Sequence, residues 1–95
     1  MFEVIIRPSG DLVDFRGWDE FAETLTRVVE TGRNKVVLDL GAVNRMSSNY
    51  ISSVIDSYNL AQERGREMVL INVSDKLYDL LDIFKLTTTM KIHRT

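Results

Sequence analysis

The stretch at residues 36–55 constrains the fold of this chain more than any other. It opens with a continuous apolar run rich in β-branched residues, VVLDL, and passes through a polar segment that holds Ser47, Ser48 and Asn49. Apolar residues at helical spacing then follow. This order predicts a buried strand, a polar loop and a helix whose first turn the loop supplies. Such a junction is a natural place for a site, because free backbone N–H groups and the positive end of the helix dipole meet there.

The composition argues against several classes of function. The formal net charge is −2 and Lys and Arg are scattered singly, so the sequence does not offer the basic face that a nucleic-acid binder needs. The absence of Cys excludes disulfides and cysteine nucleophiles, and a single His argues against a metal site. No apolar run approaches the length that a bilayer requires. We therefore expect a cytoplasmic protein without membrane insertion, folded as one domain over residues 1–95.

Runs with the composition of strands recur along the chain. Alternation or continuous apolar runs predict strands at residues 2–7, around residues 12–15, at residues 35–40 and at residues 67–73, with a weaker signal at residues 87–93. The turn residues Pro8, Ser9 and Gly10 separate the first two runs, and the simplest interpretation is an N-terminal hairpin.

Three amphipathic patterns between these runs predict helices. The first begins at Asp14 or Gly17 and has Gly32 as a plausible C-terminal cap. The second runs from Ile51 and stops near Gly65, and the third follows an N-cap signal at residues 74–75. Strands that alternate with helices after an opening hairpin predict an α/β fold. We expect a mixed, mostly parallel sheet of about five strands with about three covering helices.

This order of elements resembles the STAS domain, the fold of the bacterial anti-sigma factor antagonists. Four local features carry the resemblance, and together they extend over essentially the whole chain: Gly10-Asp11-Leu12, the run VVLDL that ends at Leu40, the loop Met46-Ser47-Ser48-Asn49, and RGREMVLINVSDKLYDLLDIFKL at residues 64–86. The resemblance implies a single STAS-like domain that binds other proteins and is not an enzyme. It implies no cofactor and no metal.

In phosphorylatable members of that family the loop reads Asp-Ser-Ser-Gly, and the second hydroxyl accepts the phosphate. A gapless alignment places the phosphoacceptor position on Asn49, which cannot be phosphorylated, and replaces the family's aspartate by Ser47 and its glycine by Tyr50. A shift of one residue would make Ser48 the acceptor, but it requires a deletion and loses the aspartate to Met46. We prefer the gapless alignment.

Two interpretations of the polar loop remain open. A phosphate on Ser48 or Ser47 would add charge near a helix N-terminus and disfavour a docked acidic surface. Alternatively, these residues only cap the helix. The resemblance implies a partner-binding surface on the loop and the helix that follows, formed by Met46, Ser47, Ser48, Asn49, Tyr50 and Ser53.

By the same resemblance, the chain is an anti-sigma factor antagonist in a bacterial partner switch that regulates transcription. Its partner would be an anti-sigma factor serine kinase of the histidine-kinase-like ATPase class, and a metal-dependent Ser phosphatase would reverse any phosphorylation. The alternative is a non-catalytic scaffold subunit of a larger signalling or lipid-transport assembly. A small enzyme or ligand carrier is a third hypothesis, although the sequence shows no Ser-His-Asp set and no phosphate-binding glycine loop.

Overall fold

The computed structural model of the chain describes residues 3–31 and 34–95, so the predictions made at Phe2 and Gly32 lie outside the described residues. It contains six strands in chain order: β1 (Glu3–Ile6), β2 (Ser9–Leu12), β3 (Lys35–Asp39), β4 (Ala42–Met46), β5 (Glu67–Val73) and β6 (Lys91–Arg94). The main sheet has the order β1-β3-β5-β6, and β2 and β4 form a separate two-stranded ladder. All these pairings are parallel. The predicted α/β class with a mostly parallel sheet is confirmed.

Three α-helices alternate with these strands, as predicted. They are α1 (Phe15–Glu30), α2 (Ser48–Glu63) and α3 (Asp75–Ile83), and a short 3-10 helix follows at Leu86–Thr88. Gly65, with φ of +68°, ends the turn after α2, because this left-handed backbone suits a residue without a Cβ. The helices α1 and α2 pack against each other, and the ring centroids of Phe21 and Tyr50 lie 5.1 Å apart.

One hydrophobic core connects both ladders with the helices. Alternate residues of β3 point into it, so that Val36 and Leu38 are completely buried. The same core includes Leu12 of β2 and Val43 of β4. The small ladder is therefore packed on the same interior as the main sheet, which fixes the position of the segment that leads into α2.

The structure corrects the pairing of the first two strands. In the register of the described strands, Glu3 of β1 pairs with Lys35 of β3, while Ser9 of β2 pairs with Ala42 of β4. Only Arg7 and Pro8 separate β1 from β2, and a two-residue hairpin needs positive φ in its turn. Proline at the second turn position holds φ near about −65°, which excludes a type I′ turn, and a type II′ turn would put Arg7 at a positive φ that favours glycine. The two strands instead lie in different ladders.

Two further segments differ from the sequence prediction. Strand β4 lies where a loop was expected, and its register with β2 passes from Val43 directly to Arg45, so that Asn44 forms an irregularity. The predicted last strand at residues 87–93 is shorter, because Leu86–Thr88 forms the 3-10 helix and β6 starts only at Lys91. The hydroxyl of Thr88 donates to the backbone oxygen of Lys85 at 3.0 Å, a local bond that competes with strand formation.

The carboxyl ends of β1, β3 and β5 are joined by the carboxylate of Asp39. Its Oδ1 accepts from the backbone N–H of Gly41 at 2.9 Å and from Nδ2 of Asn72 at 3.1 Å, while Oδ2 accepts from Nε of Arg7 at 3.3 Å. These interactions lower the pKa of Asp39, with the Gly41 N–H as the largest cause. The charge at the end of β3 is therefore satisfied by three hydrogen-bond donors.

Candidate functional site

Residues 47–50, called here the helix-2 entry, form the junction between β4 and α2. Ser47 is the N-cap residue of α2, with extended backbone angles φ −80° and ψ 166°. Ser48 and Asn49 follow in the first turn of the helix, and both are exposed. The residues predicted to form a loop therefore belong largely to the helix itself, and the two polar side chains are presented together at its amino end.

The capping interpretation does not account for the hydroxyl of Ser47. Within the described part of the chain this side chain makes no capping hydrogen bond to α2. The equivalent residue of α3, Ser74, accepts from the backbone N–H of Leu77 at 3.2 Å in the usual manner of an N-cap serine. Two serines at the same helical position therefore behave differently, and the serine of the helix-2 entry keeps its hydroxyl available for another contact.

The predicted partner-binding residues separate into exposed and buried groups. Ser48 and Asn49 are exposed and Ser47 is half-buried. Met46, Tyr50 and Ser53 are buried, at 6 %, 3 % and 6 % exposure, so their side chains support the helix-2 entry from inside instead of forming part of its outer surface. The prediction of a direct surface role for these three side chains is corrected accordingly. Ser52 and Asp56 occupy the exposed side of α2 that continues from the entry.

Tyr50 fixes the inner side of the helix-2 entry against the start of α1. Its hydroxyl donates to the backbone oxygen of Asp14 at 2.7 Å. Burial raises the pKa of Tyr50, and the negative charge of Asp14 raises it further. A Cβ placed on Gly17 would lie 2.7 Å from this hydroxyl, so a larger residue at position 17 would displace the Tyr50 hydroxyl from its position.

A second connection between the two helices uses Trp18. Its indole N–H donates to Oγ of Ser53 at 2.7 Å, and that hydroxyl donates in turn to the backbone oxygen of Asn49 at 3.2 Å. Trp18 is partly buried and packs against the hydrophobic core. This connection could not be predicted, because no local sequence pattern relates Trp18 to Ser53.

Strand β4 leads into the helix-2 entry, and its pairing with β2 places the start of the entry next to β2. The backbone N–H of Ser47 donates to the oxygen of Leu12 at 2.9 Å. Two positions earlier, Nη2 of Arg45 lies 2.9 Å from Oδ2 of Asp11, its neighbour in the strand register. The side chain of Arg45 is 60 % exposed and therefore largely solvated. It is paired with a carboxylate of this chain.

An apolar groove of about 370 Å³ lies beside the entry, between β4 and α3. Met46, Leu77, Leu80 and Ile83 form its apolar walls, and Ile83 is 74 % exposed. This surface was not predicted. A signal was present in the sequence, because LLDIF at residues 80–84 holds more apolar residues than one buried face of a nine-residue helix can take.

The chemistry available at the helix-2 entry is that of hydroxyl and amide groups. Among residues 3–31 and 34–95, no group of three His, Cys, Asp or Glu side chains is placed to hold a metal ion. The same residues include no helix that is both long and apolar enough to cross a membrane. The entry can therefore donate and accept hydrogen bonds at a surface, and its serines can carry a modification.

The fold and this site define a small α/β domain that presents a polar strand-to-helix junction. A family model for the STAS domain matches residues 3–95, and the chain belongs to the STAS domain family.

Solved structures with the same fold come from different contexts. One is a Thermotoga maritima protein described as an anti-sigma factor antagonist. It is 21 % identical to this chain, with a TM-score of 0.88 over 98 % of this chain and 80 % of that one. The anti-sigma factor antagonist SpoIIAA in its unphosphorylated form is 15 % identical, with a TM-score of 0.75 over 98 % of this chain and 79 % of its own. A sulfate transporter family protein from Wolinella succinogenes is 19 % identical, with a TM-score of 0.81 over 96 % and 75 %. At these identities the likeness concerns the fold.

Proposed function

We propose that this chain is an anti-sigma factor antagonist that binds a serine-kinase anti-sigma factor through the helix-2 entry and the exposed side of α2. The observation that carries the proposal is the joint exposure of Ser48 and Asn49 in the first turn of α2, on a rigid element held from behind by buried side chains. Family membership and the likeness to SpoIIAA support it. In this role the domain binds and releases a partner and performs no catalysis.

The exposed helix-2 entry suits regulation by charge. A phosphate on Ser48 would bring about −1.5 to −2 charges to the surface where the partner docks. The position that the family alignment gives to the acceptor holds the amide of Asn49, which does not accept phosphate. Ser48 and then Ser47 are therefore the candidate phosphorylation sites. A chain in which neither is modified would remain permanently able to bind. If Ser48 or Ser47 is phosphorylated, a metal-dependent Ser phosphatase removes the phosphate and restores binding.

The test compares binding of variants to a purified serine-kinase anti-sigma factor of the histidine-kinase-like ATPase class. Ser48→Asp places a negative charge in the docking surface, and we expect it to raise the Kd at least about tenfold, equivalent to about 1.4 kcal/mol. Asn59→Asp is the matched control, because Asn59 is exposed on the same helix far from its amino end. Isothermal titration calorimetry gives both values. Equal affinities for wild type and Ser48→Asp would contradict the switch, and no binding by wild type would contradict the function.

Phosphorylation itself is tested with the same kinase and ATP by intact-mass measurement and fragmentation of the modified peptide. We expect one phosphate on Ser48 in the wild-type protein and none in Ser48→Ala. Asn49→Ser restores a hydroxyl at the aligned acceptor position, and we expect this variant to be modified at residue 49. If only Asn49→Ser is modified, the natural chain is a permanently binding form.

A scaffold subunit of a larger signalling or lipid-transport assembly is the second candidate function. The apolar groove between β4 and α3 favours it, because Ile83 exposes 74 % of its surface next to the half-exposed Phe84. In that case Ile83→Ser would release the protein from a stable high-mass complex in native extract, while Ser48→Asp would leave the complex intact. The reverse pattern would support the antagonist.

A further inference from the structure

The contact between Trp18 and Ser53 has a fixed direction. An indole N–H can only donate, so the Ser53 oxygen must be its acceptor across the 2.7 Å that separates them. The hydroxyl proton of Ser53 is then available for the backbone oxygen of Asn49, 3.2 Å away. Ser53 is 6 % exposed, so competition from bulk water at this hydroxyl is small. A directed chain of two hydrogen bonds therefore runs from α1 into the helix-2 entry.

This chain ends on the peptide group that joins Asn49 to Tyr50. The N–H of that peptide belongs to the third residue of α2, which an N-cap side chain commonly bonds. Here, among the described residues, Ser47 provides no such bond. The oxygen of the peptide instead accepts from the hydroxyl of Ser53, which itself accepts from Trp18 of α1. The Tyr50 hydroxyl donates to the backbone oxygen of Asp14 at 2.7 Å.

We propose that Trp18 and Ser53 are positioning residues for the docking surface. The hydrogen bond from Trp18 to Ser53, and that from Ser53 to the Asn49 oxygen, set the orientation of the helix-2 entry. This inference rests on the proposed function only because the binding test uses the proposed kinase partner. Ser48 and Asn49 face outward because the peptide that follows them is fixed from inside. The orientation of the surface is therefore determined by α1, an element that does not itself belong to the predicted docking residues.

The first test is made on the free protein by amide hydrogen exchange in NMR spectra. The amides of residues 51–54 report the hydrogen bonds that close the first turn of α2. We expect Trp18→Phe and Ser53→Ala to accelerate their exchange at least about fivefold, with little change at Val69 and Leu70 in the buried strand β5. A purely structural role would accelerate all these amides together, and that result, or unchanged exchange, would overturn the proposal.

A double-mutant cycle distinguishes a connected chain from independent packing. Once Ser53 is alanine the indole has lost its acceptor, so Trp18→Phe should add almost nothing to the effect of Ser53→Ala on exchange at residues 51–54. Additive effects would contradict a connected chain. Tyr58→Phe is the matched control, because it removes a hydroxyl that donates to the backbone oxygen of Thr89 at 3.0 Å, farther along the same helix. This control should leave residues 51–54 unchanged.

The binding test uses the same purified kinase as above. We expect the Kd to rise about tenfold for Ser53→Ala and to stay within about twofold for Tyr58→Phe. Normal kinase binding by Ser53→Ala, with wild type also binding, would overturn the positioning role and leave the proposed function standing. If wild type binds no kinase, the proposed function fails, and the exchange results alone decide whether Trp18 and Ser53 orient the entry.

Discussion

Asp39 is the residue at which a buried strand ends in a charge. The preceding residue, Leu38, is completely buried, so the carboxylate must be satisfied close to the strand end. The Gly41 N–H, the Asn72 amide and the Arg7 guanidinium accomplish this. All three stabilise the ionised form, and the pKa of Asp39 is lowered from its ordinary value of 3.8.

The lowered pKa predicts a defined pH dependence of stability. A carboxyl whose pKa is lower in the folded state stabilises the fold above its unfolded pKa and loses this contribution as the pH falls through the folded value. We therefore expect Asp39→Asn to lower the Tm at neutral pH, and the difference from wild type to shrink between about pH 5 and about pH 2. Thermal unfolding followed by circular dichroism at several pH values measures it. A difference that stays constant with pH would show that the charge is not the cause.

The contact between Gly17 and Tyr50 predicts a coupling between two substitutions. Gly17→Ala adds a methyl group 2.7 Å from the Tyr50 hydroxyl, and we expect this crowding to cost about 1–3 kcal/mol. In a Tyr50→Phe background the hydroxyl is gone, so Gly17→Ala should be neutral or stabilise, because alanine is the better helix former by about 1 kcal/mol. Urea denaturation of the four proteins gives the coupling energy. Equal costs in both backgrounds would refute the close approach.

At the scale of secondary structure, the N-termini of α2 and α3 use the same residue type with different results. Ser74 bonds the Leu77 N–H and thereby stabilises α3, whereas the hydroxyl of Ser47 does not cap α2 within the described chain. The helix-2 entry thus lacks the stabilisation that an N-cap hydrogen bond from Ser47 would provide. This is consistent with a surface whose polar groups serve an external contact.

The difference between the two caps can be measured with identical substitutions. We expect Ser74→Ala to cost about 1 kcal/mol of stability, corresponding to a fall in Tm of about 4–8 °C. Ser47→Ala should cost much less, since no capping bond is lost. Differential scanning calorimetry of both variants beside wild type gives the comparison. Similar costs for the two serines would mean that Ser47 caps α2 in solution.

The errors of prediction have physical causes that lie in particular elements. Strand β4 was missed because the irregularity at Asn44 places its two buried residues, Val43 and Met46, three positions apart and hides the alternation. The hairpin was predicted because turn residues near Pro8 mark a reversal without specifying which strand each run will join. Long apolar runs and helical stripes were reliable because burial alone determines them.

The helix after the polar segment was predicted at the right place along the chain, but the side on which each of its first residues lies was not. Beginning α2 at Ser48 puts Tyr50, Ser53 and Val54 on its buried side by helical spacing. The sequence does not specify the first helical residue to this precision, so inner and outer side chains were grouped together. The contacts of Trp18 and Gly17 with this region depend on how α1 crosses α2, which no local pattern contains.

At the scale of the whole molecule, the two ladders share one interior. Leu38 of the main sheet and Val43 of the small ladder belong to the same buried cluster. A single domain over residues 1–95 remains the prediction. The helix-2 entry follows β4, whose residues Val43 and Met46 belong to this core.

A core substitution should therefore destabilise the whole chain in one step. We expect Leu38→Ala to cost about 2–5 kcal/mol, because it removes a completely buried side chain. Trp18 fluorescence and far-ultraviolet circular dichroism should report the same urea midpoint, as in a two-state transition. Ile83→Ala, at a side chain exposed on α3, is the control and should change little. Separate midpoints for the two signals would contradict the single domain.

The parallel pairing has a consequence for the order of events when the chain folds. In each pair of described strands that share a ladder, a whole helix lies between the two partners in the sequence: α1 for β1 with β3 and for β2 with β4, α2 for β3 with β5, and α3 for β5 with β6. None of these ladders can form by extension of a tight turn, because its two strands are far apart in the sequence. Strand pairing therefore requires contacts between distant parts of the chain, which form slowly. We expect α1, α2 and α3 to gain structure transiently before the strands align, so that sheet formation limits the folding rate.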